Sequence, residues 1–267
     1  MRRLPVGTII DNQVSGATYR VKRFLGQGGF GAAYAAFHID KNGKDRGELV
    51  CLKFTTHADV WHGEAFFAGI LREKNYVVKQ REAFPTTIVD GRGTRMVFVI
   101  EMEFMETGTV RDACVDGRLP WPEDRVARKI RGLLQPLSLL HNMGVSHRDV
   151  TPGNVYVANR AVLKLGDFGI TKTGFTKSGV RADVAAWPYA PSDIGSFWRP
   201  ADDVYQVGLL MLTLLSGEEI DNTVGKVGVN PLTSRGYGLR EAIKKAISPK
   251  AQRPQTASHL SQLLPGR

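Results

Sequence analysis

Apolar residues follow two different rhythms along this chain. Over roughly the first hundred residues they alternate or run in short stretches, a period-2 pattern typical of strands. "YRVKRFLG" (19–26) alternates, "GAAYAAFHI" (31–39) and "GELVCLKF" (47–54) flank the turn-rich "DKNGKDRG", and "RMVFVIEMEF" (95–104) is apolar and β-rich. Asn42-Gly43 inside that turn is a strong hairpin pair, because both residues tolerate a left-handed backbone. One segment breaks the rhythm: "WHGEAFFAGILRE" (61–73) sets Phe67, Ile70 and Leu71 at helical spacing.

After this region the period becomes helical. "PEDRVARKIRGLLQPLSLLHNMG" (122–144) repeats Val126, Ile130, Leu133, Leu134, Leu137 and Leu140 on one stripe, with Gly144 as a stop. "DDVYQVGLLMLTLLSG" (202–217) is apolar nearly all round, which predicts a helix buried inside its lobe. "TASHLSQLL" (256–264) predicts a short amphipathic helix with Thr256 or Ser258 near its cap. Strands first and helices after predict an α+β fold, with a cleft expected between the two parts. No internal repeat or low-complexity linker interrupts the pattern.

Composition narrows the class. The 267 residues suffice for one large core or two modest ones, and 42% hydrophobic content reads as ordinary globular protein. The longest apolar run, "VGLLMLTLL" (207–215), is about half the length a bilayer crossing requires. "MRRLPVGTII" has two arginines but no apolar run behind them, so no signal peptide is expected. Two cysteines, Cys51 and Cys114, make neither a disulfide framework nor a metal spacing, and a cytoplasmic location follows as the expectation. The formal charge of +10 is spread along the chain without interleaved aromatics. That argues against a nucleic-acid surface and leaves an acidic protein partner, or solvation alone. Oligomeric state is left open.

Candidate chemistry sits in four places. In "GQGGFG", Gly26, Gly28 and Gly31 follow one strand and precede another. Glycines there let backbone N–H groups close over phosphate, although a plain hairpin turn fits as well. In "VCLKF", Lys53 stands among apolar neighbours, and a buried cation needs an anion. Glu64 and Glu73 are the nearby candidates. Glu64 shares a face with Ala68 and Leu71, whereas Glu73 lies in the charged run "REK". The third place is "HRDVTPGN" (147–154), where Asp149 is either a chemical group or a structural cap. The fourth is Asp167-Phe168-Gly169.

Taken together and in this order, the motifs resemble the signature set of protein kinases, from Gly26 to about Arg253. The resemblance implies a bilobal α+β kinase fold, residues 1–105 forming the β-rich lobe and 106–267 the helical one. It implies transfer of the γ-phosphate of Mg-ATP to a serine or threonine hydroxyl of a protein, with autophosphorylation included. Asp149 would accept or orient the acceptor hydroxyl, and Asn154 and Asp167 would hold Mg²⁺, or Mn²⁺ in its place. Lys53, fixed by Glu64, would hold the α- and β-phosphates. Leu25, Gly26, Gly28, Gly29, Phe30, Gly31 and Ala33 would cover the nucleotide. Cys51 and Tyr156 would sandwich its base, beside Met102, Glu103 and Met105 of the lobe-connecting segment. Cys51 is either packing or a thiol open to the nucleotide. Asp203 would cap the catalytic-loop backbone.

Three departures stand out. Thr151 occupies the place of a lysine that touches the γ-phosphate, and Lys172 is a candidate substitute. "WPYAPSD" puts Ser192 where a glutamate is usual, with Asp193 one step later as a candidate partner for Arg253. A threonine expected just upstream of Ala190-Pro191 is missing. Arg148 could pair with a phosphate on Thr171, Thr173, Thr176 or Ser178, or those residues form only a solvated loop. The alternatives to a protein kinase are a nucleotide-binding scaffold without turnover and a kinase-fold enzyme acting on a specialised peptide or small molecule.

Overall fold

The computed structural model describes residues 3–29, 31–90, 93–169, 172–173, 188–223 and 237–266. The chain divides into two compact units, one of Met1–Glu73 with Val78–Met105, the other of Lys74–Val77 with Glu106–Arg267. The α+β expectation holds, with strands concentrated in the first unit and helices in the second.

The first unit is a six-stranded antiparallel sheet with one helix. Its strands are β1 (Ile9–Asp11), β2 (Thr18–Gly28), β3 (Gly31–Ile39), β4 (Asp45–Thr55), β5 (Gln80–Asp90) and β6 (Gly93–Glu103), in the order β1-β2-β3-β4-β6-β5. Strand alternation decides what β4 does. Val50, Leu52 and Phe54 enter a core with Tyr19, Val21, Tyr34, Phe84 and Val99. Cys51 and Lys53, between them, point the other way. The helix α1 (Ala58–Ile70) begins before the predicted segment and ends before Glu73. Strand β5 was not anticipated, because Pro85 interrupts its pattern. The sheet accommodates that proline on an edge strand, where a missing N–H costs least.

The Asn42-Gly43 turn forms as expected, with Gly43 at φ +72° donating to the Asp40 carbonyl at 2.9 Å. Gly31 is fixed by close approach: a Cβ there would overlap the Phe54 backbone carbonyl on β4. Gly31→Ala is therefore expected to cost about 1–3 kcal/mol, read as a lower urea midpoint at unchanged slope. An unchanged midpoint would show that β3 can move aside.

The second unit is built on α3 (Glu123–Asn142) and α4 (Pro200–Ser216), with α2 (Val110–Val115), α5 (Tyr237–Ala246) and α6 (Ala257–Leu263) around them. Helix α3 buries the predicted stripe from Val126 to Leu140, and Gly144, at φ +70°, follows its end. In α4 every residue from Ala201 to Leu214 is buried. Thr256, not Ser258, caps α6. Short ribbons complete the unit: β8 (Val155–Ala158) pairs with β9 (Val162–Leu165), and β7 (Val145–Ser146) with β10 (Lys172–Thr173). Among the described residues no helix is long and apolar enough to cross a membrane.

Candidate active site

In the first unit the register of three neighbouring strands aligns the predicted residues. Ala33 of β3 pairs with Lys53 of β4, and Cys51 and Val50 of β4 pair with Met102 and Glu103 of β6. Lys53 Nζ donates to both carboxylate oxygens of Glu64 on α1, each at 2.8 Å. The two side chains are only 15% and 4% exposed, so each charge compensates the other out of bulk water. Gly26 and Gly28 lie at the end of β2 and Gly31 opens β3, with Gly28 opposite Gly31. Leu25 and Gly29 beside them are exposed, and Phe30 lies outside the described residues. Met105 is the last residue of this unit. Cys51 is partly buried. Burial pushes its thiol up to about 12, against the pull of Lys53, which leaves almost no thiolate near neutral pH.

In the second unit one buried carboxylate organises the loop 147–154. Asp203, at the start of α4, accepts the backbone N–H groups of His147 and Arg148, both at 2.8 Å. It also bonds His141 Nε2 at 2.9 Å and Trp198 Nε1 at 2.8 Å. Burial works to raise this carboxyl, and His141, His147 and the Arg148 N–H outweigh it, so the group stays below the usual carboxylate range. Gln206, one turn further, accepts from Val150 N–H and donates to the Arg148 carbonyl. Arg148 can then adopt φ +74°, a conformation that costs energy unless its surroundings impose it.

The same loop orients Asn154. Its Nδ2 donates to the Asp149 carbonyl at 3.2 Å, so its amide oxygen Oδ1 is the atom turned away from that bond. Gly166 N–H donates to the Asn154 carbonyl at 3.0 Å. Asn154 precedes β8 and Asp167 follows β9, and Val155 pairs with Leu165, so both reach the same end of that ribbon. Asp167, at φ +58°, accepts the Gly169 N–H on Oδ1. Among the described residues no three His, Cys, Asp or Glu side chains gather into a metal cage. One carboxylate and one amide oxygen fit Mg²⁺, a hard ion that keeps waters and takes phosphate oxygens as its remaining ligands. Tyr156 stands on β8, bridged to Thr109.

Thr151 is 4% exposed, and its carbonyl accepts from Asn154 and Val155 N–H groups at 3.0 and 3.1 Å. It shapes the turn and adds no charge. Asp193, one step past Ser192, bonds Arg253 Nη2 at 2.9 Å and Lys250 N–H at 2.6 Å. Burial opposes that carboxylate, yet Arg253 and Lys250 hold its pKa below the ordinary value. Arg148 is buried, with its Nε unpartnered among the described residues. It lines a cavity of about 290 Å³ with Trp198 and Arg199. Thr171, Thr176 and Ser178 lie outside the described residues. Lys172 and Thr173 are described only as backbone of β10.

His141, Trp198 and Gln206 were not read from the sequence. The partners of His141 and Gln206 lie far away in the chain, Trp198 reaches Asp203 five positions on, and the one hint was a glutamine in an otherwise apolar helix.

His147 is fully buried against Phe168, and burial pushes its imidazole down to about 4 despite Asp203 and Asp167. The unfolded chain takes up this proton near 6.5, while the native protein resists until about 4. Stability is therefore expected to fall as pH drops through that window, by roughly 3 kcal/mol, with no contribution above it. Urea unfolding from pH 7 to 4 should show this slope, and His147→Gln should flatten it. An equal slope in both proteins would contradict the assignment.

The chain matches the family described as "Protein kinase domain" over residues 19–259. It is 26% identical to the probable serine/threonine-protein kinase zyg-1 of Caenorhabditis briggsae over 238 residues, 86% of this chain and 31% of that one. It is 31% identical to the serine/threonine-protein kinase PknL of Mycobacterium tuberculosis over 159 residues, 58% of this chain and 39% of that one. With the calcium-dependent protein kinase SK5 of Glycine max it shares 31% over 211 residues, 74% of this chain and 39% of that one. The matched region thus spans 31% to 39% of the length of these relatives.

Proposed function

This chain belongs to the protein kinase domain family, and we propose that it transfers the γ-phosphate of Mg-ATP to serine or threonine hydroxyls of a protein. The observation that carries the reading is the loop 147–154. Its backbone is held by Asp203 and Gln206, so that Asp149, Asn154 and, across the β8–β9 ribbon, Asp167 have fixed positions. Phosphoryl transfer needs such positioning more than it needs covalent chemistry.

Asp149 takes the proton of the acceptor hydroxyl as its oxygen bonds to the γ-phosphorus. The bond from that phosphorus to the bridging oxygen breaks, and ADP leaves with the electron pair. Lys53, held by Glu64, is the cation for the α- and β-phosphates. Asn154 Oδ1 and the Asp167 carboxylate are the ligands for Mg²⁺, which when bound neutralises phosphate charge. Gly26, Gly28 and Gly31 supply backbone able to approach phosphate closely. Met102, Glu103 and Met105 serve the base, with Cys51 and Tyr156 packing against it. The high pKa of the Cys51 thiol supports packing over reactivity. Arg148 supports autophosphorylation, because a phosphate on the 170–187 segment would give its buried guanidinium an anion.

Thr151 favours a second reading, a nucleotide-binding scaffold, because the loop lacks the cation of a typical serine/threonine kinase. Incubation with γ-labelled ATP and Mg²⁺ beside separate serine/threonine and tyrosine peptide pools tests both. Label on the first pool is expected. Label on tyrosine alone, or nucleotide binding with no label anywhere, would overturn the proposal.

A further inference from the structure

An arginine that no motif predicted lies against the catalytic loop. Arg111, on α2, donates its backbone N–H to the Pro152 carbonyl at 2.9 Å. Its guanidinium rests on Gly153: a Cβ there would come within 2.8 Å of Arg111 Nη1. Arg111 Nε reaches both oxygens of Glu219 at 3.0 Å, and Nη2 reaches Oε1 at 2.7 Å. Tyr189, next to Ala190-Pro191, accepts from Nη2 at 3.2 Å and donates its own hydroxyl to Glu219. Glu219 and Tyr189 therefore hold one edge of the guanidinium. Nη1, on the other side, has no hydrogen-bond partner among the described residues. The Arg111 side chain is 49% exposed and that of Glu219 is 31% exposed. The guanidinium also feels the fields of Asp112 and, less strongly, Asp149, both weaker than that of Glu219.

On the reading of this loop as the phosphotransfer site, we infer that Arg111 recognises an anionic side chain, carboxylate or phosphate, near the acceptor hydroxyl of the substrate peptide. Glu219 does not reverse the preference, because both its oxygens are already engaged while the arginine keeps unused donors. A planar guanidinium fixed along one edge presents the other to an oxyanion in a defined orientation, the geometry in which arginine binds carboxylate and phosphate best. Gly153 makes room for it. A residue with a side chain there would displace the group.

The test uses peptides sharing one serine, flanked by alanine, glutamate, phosphoserine or lysine. Parent protein is expected to show kcat/KM about tenfold higher for the glutamate or phosphoserine peptide than for the alanine one, mainly through KM. The glutamate and phosphoserine arms show which anion is preferred. Arg111→Gln is expected to bring the ratio to about one. Gly153→Ala, which pushes the guanidinium off the loop without a forbidden backbone, should lower it too. Equal rates on all peptides, or an Arg111→Gln loss that is the same for every peptide, would overturn the inference and leave phosphotransfer standing. No transfer to any peptide, with Lys53→Ala indistinguishable from the parent, would remove both.

Discussion

Asp149→Asn is expected to fold like the parent, bind nucleotide with similar affinity, and lose phosphoryl transfer by about 10³-fold. The amide has nearly the same size as the carboxylate. Backbone contacts of the residue stay in place in the variant: Thr151 N–H donates to the Asp149 carbonyl, and so does Asn154 Nδ2. What changes is the ability to take a proton from the acceptor hydroxyl. The loss should therefore fall on kcat, with little change in the KM for ATP. A variant transferring within about threefold of the parent would remove Asp149 from this role and leave it a structural residue.

Asp203→Ala is expected to be the most destabilising single change considered, by about 3–5 kcal/mol. The carboxylate is fully buried and accepts from two backbone N–H groups, His141 and Trp198. Truncation leaves those donors without an acceptor and frees the loop that carries Asp149. The sign with pH follows from the same contacts. Because the folded carboxyl lies below its unfolded value, its contribution is present above the ordinary carboxylate range and is lost as pH falls through the depressed one. Asp203→Asn should remove that acid dependence along with part of the stability. Urea unfolding at neutral pH measures the first effect and an acid titration the second. A cost below about 1 kcal/mol for Asp203→Ala would mean that the loop is held by other contacts.

Period and charge made much of this legible beforehand. The all-round apolar run of α4 can only be a buried helix, whereas the bonds that Gln206 makes from inside it to Val150 and Arg148 emerge only from the fold. The pairing of Lys53 was readable because a cation in an apolar strand demands an anion. Helical phase favoured Glu64 over Glu73, and α1 ends before Glu73. Strand β5 was hidden by Pro85, whose cost depends on a sheet edge that no local pattern reveals. The short helix α2 lies below the length at which periodicity is visible. Arg111 escaped for a further reason: its partner Glu219 is separated from it by 108 positions, and only the folded chain joins them. Thr151 was visible as a missing cation. Its burial and its bonds to Asn154 and Val155 were not, because they arise from the turn itself.

The most direct test is label transfer from Mg-ATP by purified parent, Lys53→Ala and Asp149→Asn side by side, with folding checked by unfolding curves. The account predicts label on serine or threonine with the parent and none above background with either variant. Equal labelling by all three proteins would contradict it, as would a folded parent that binds nucleotide and labels nothing.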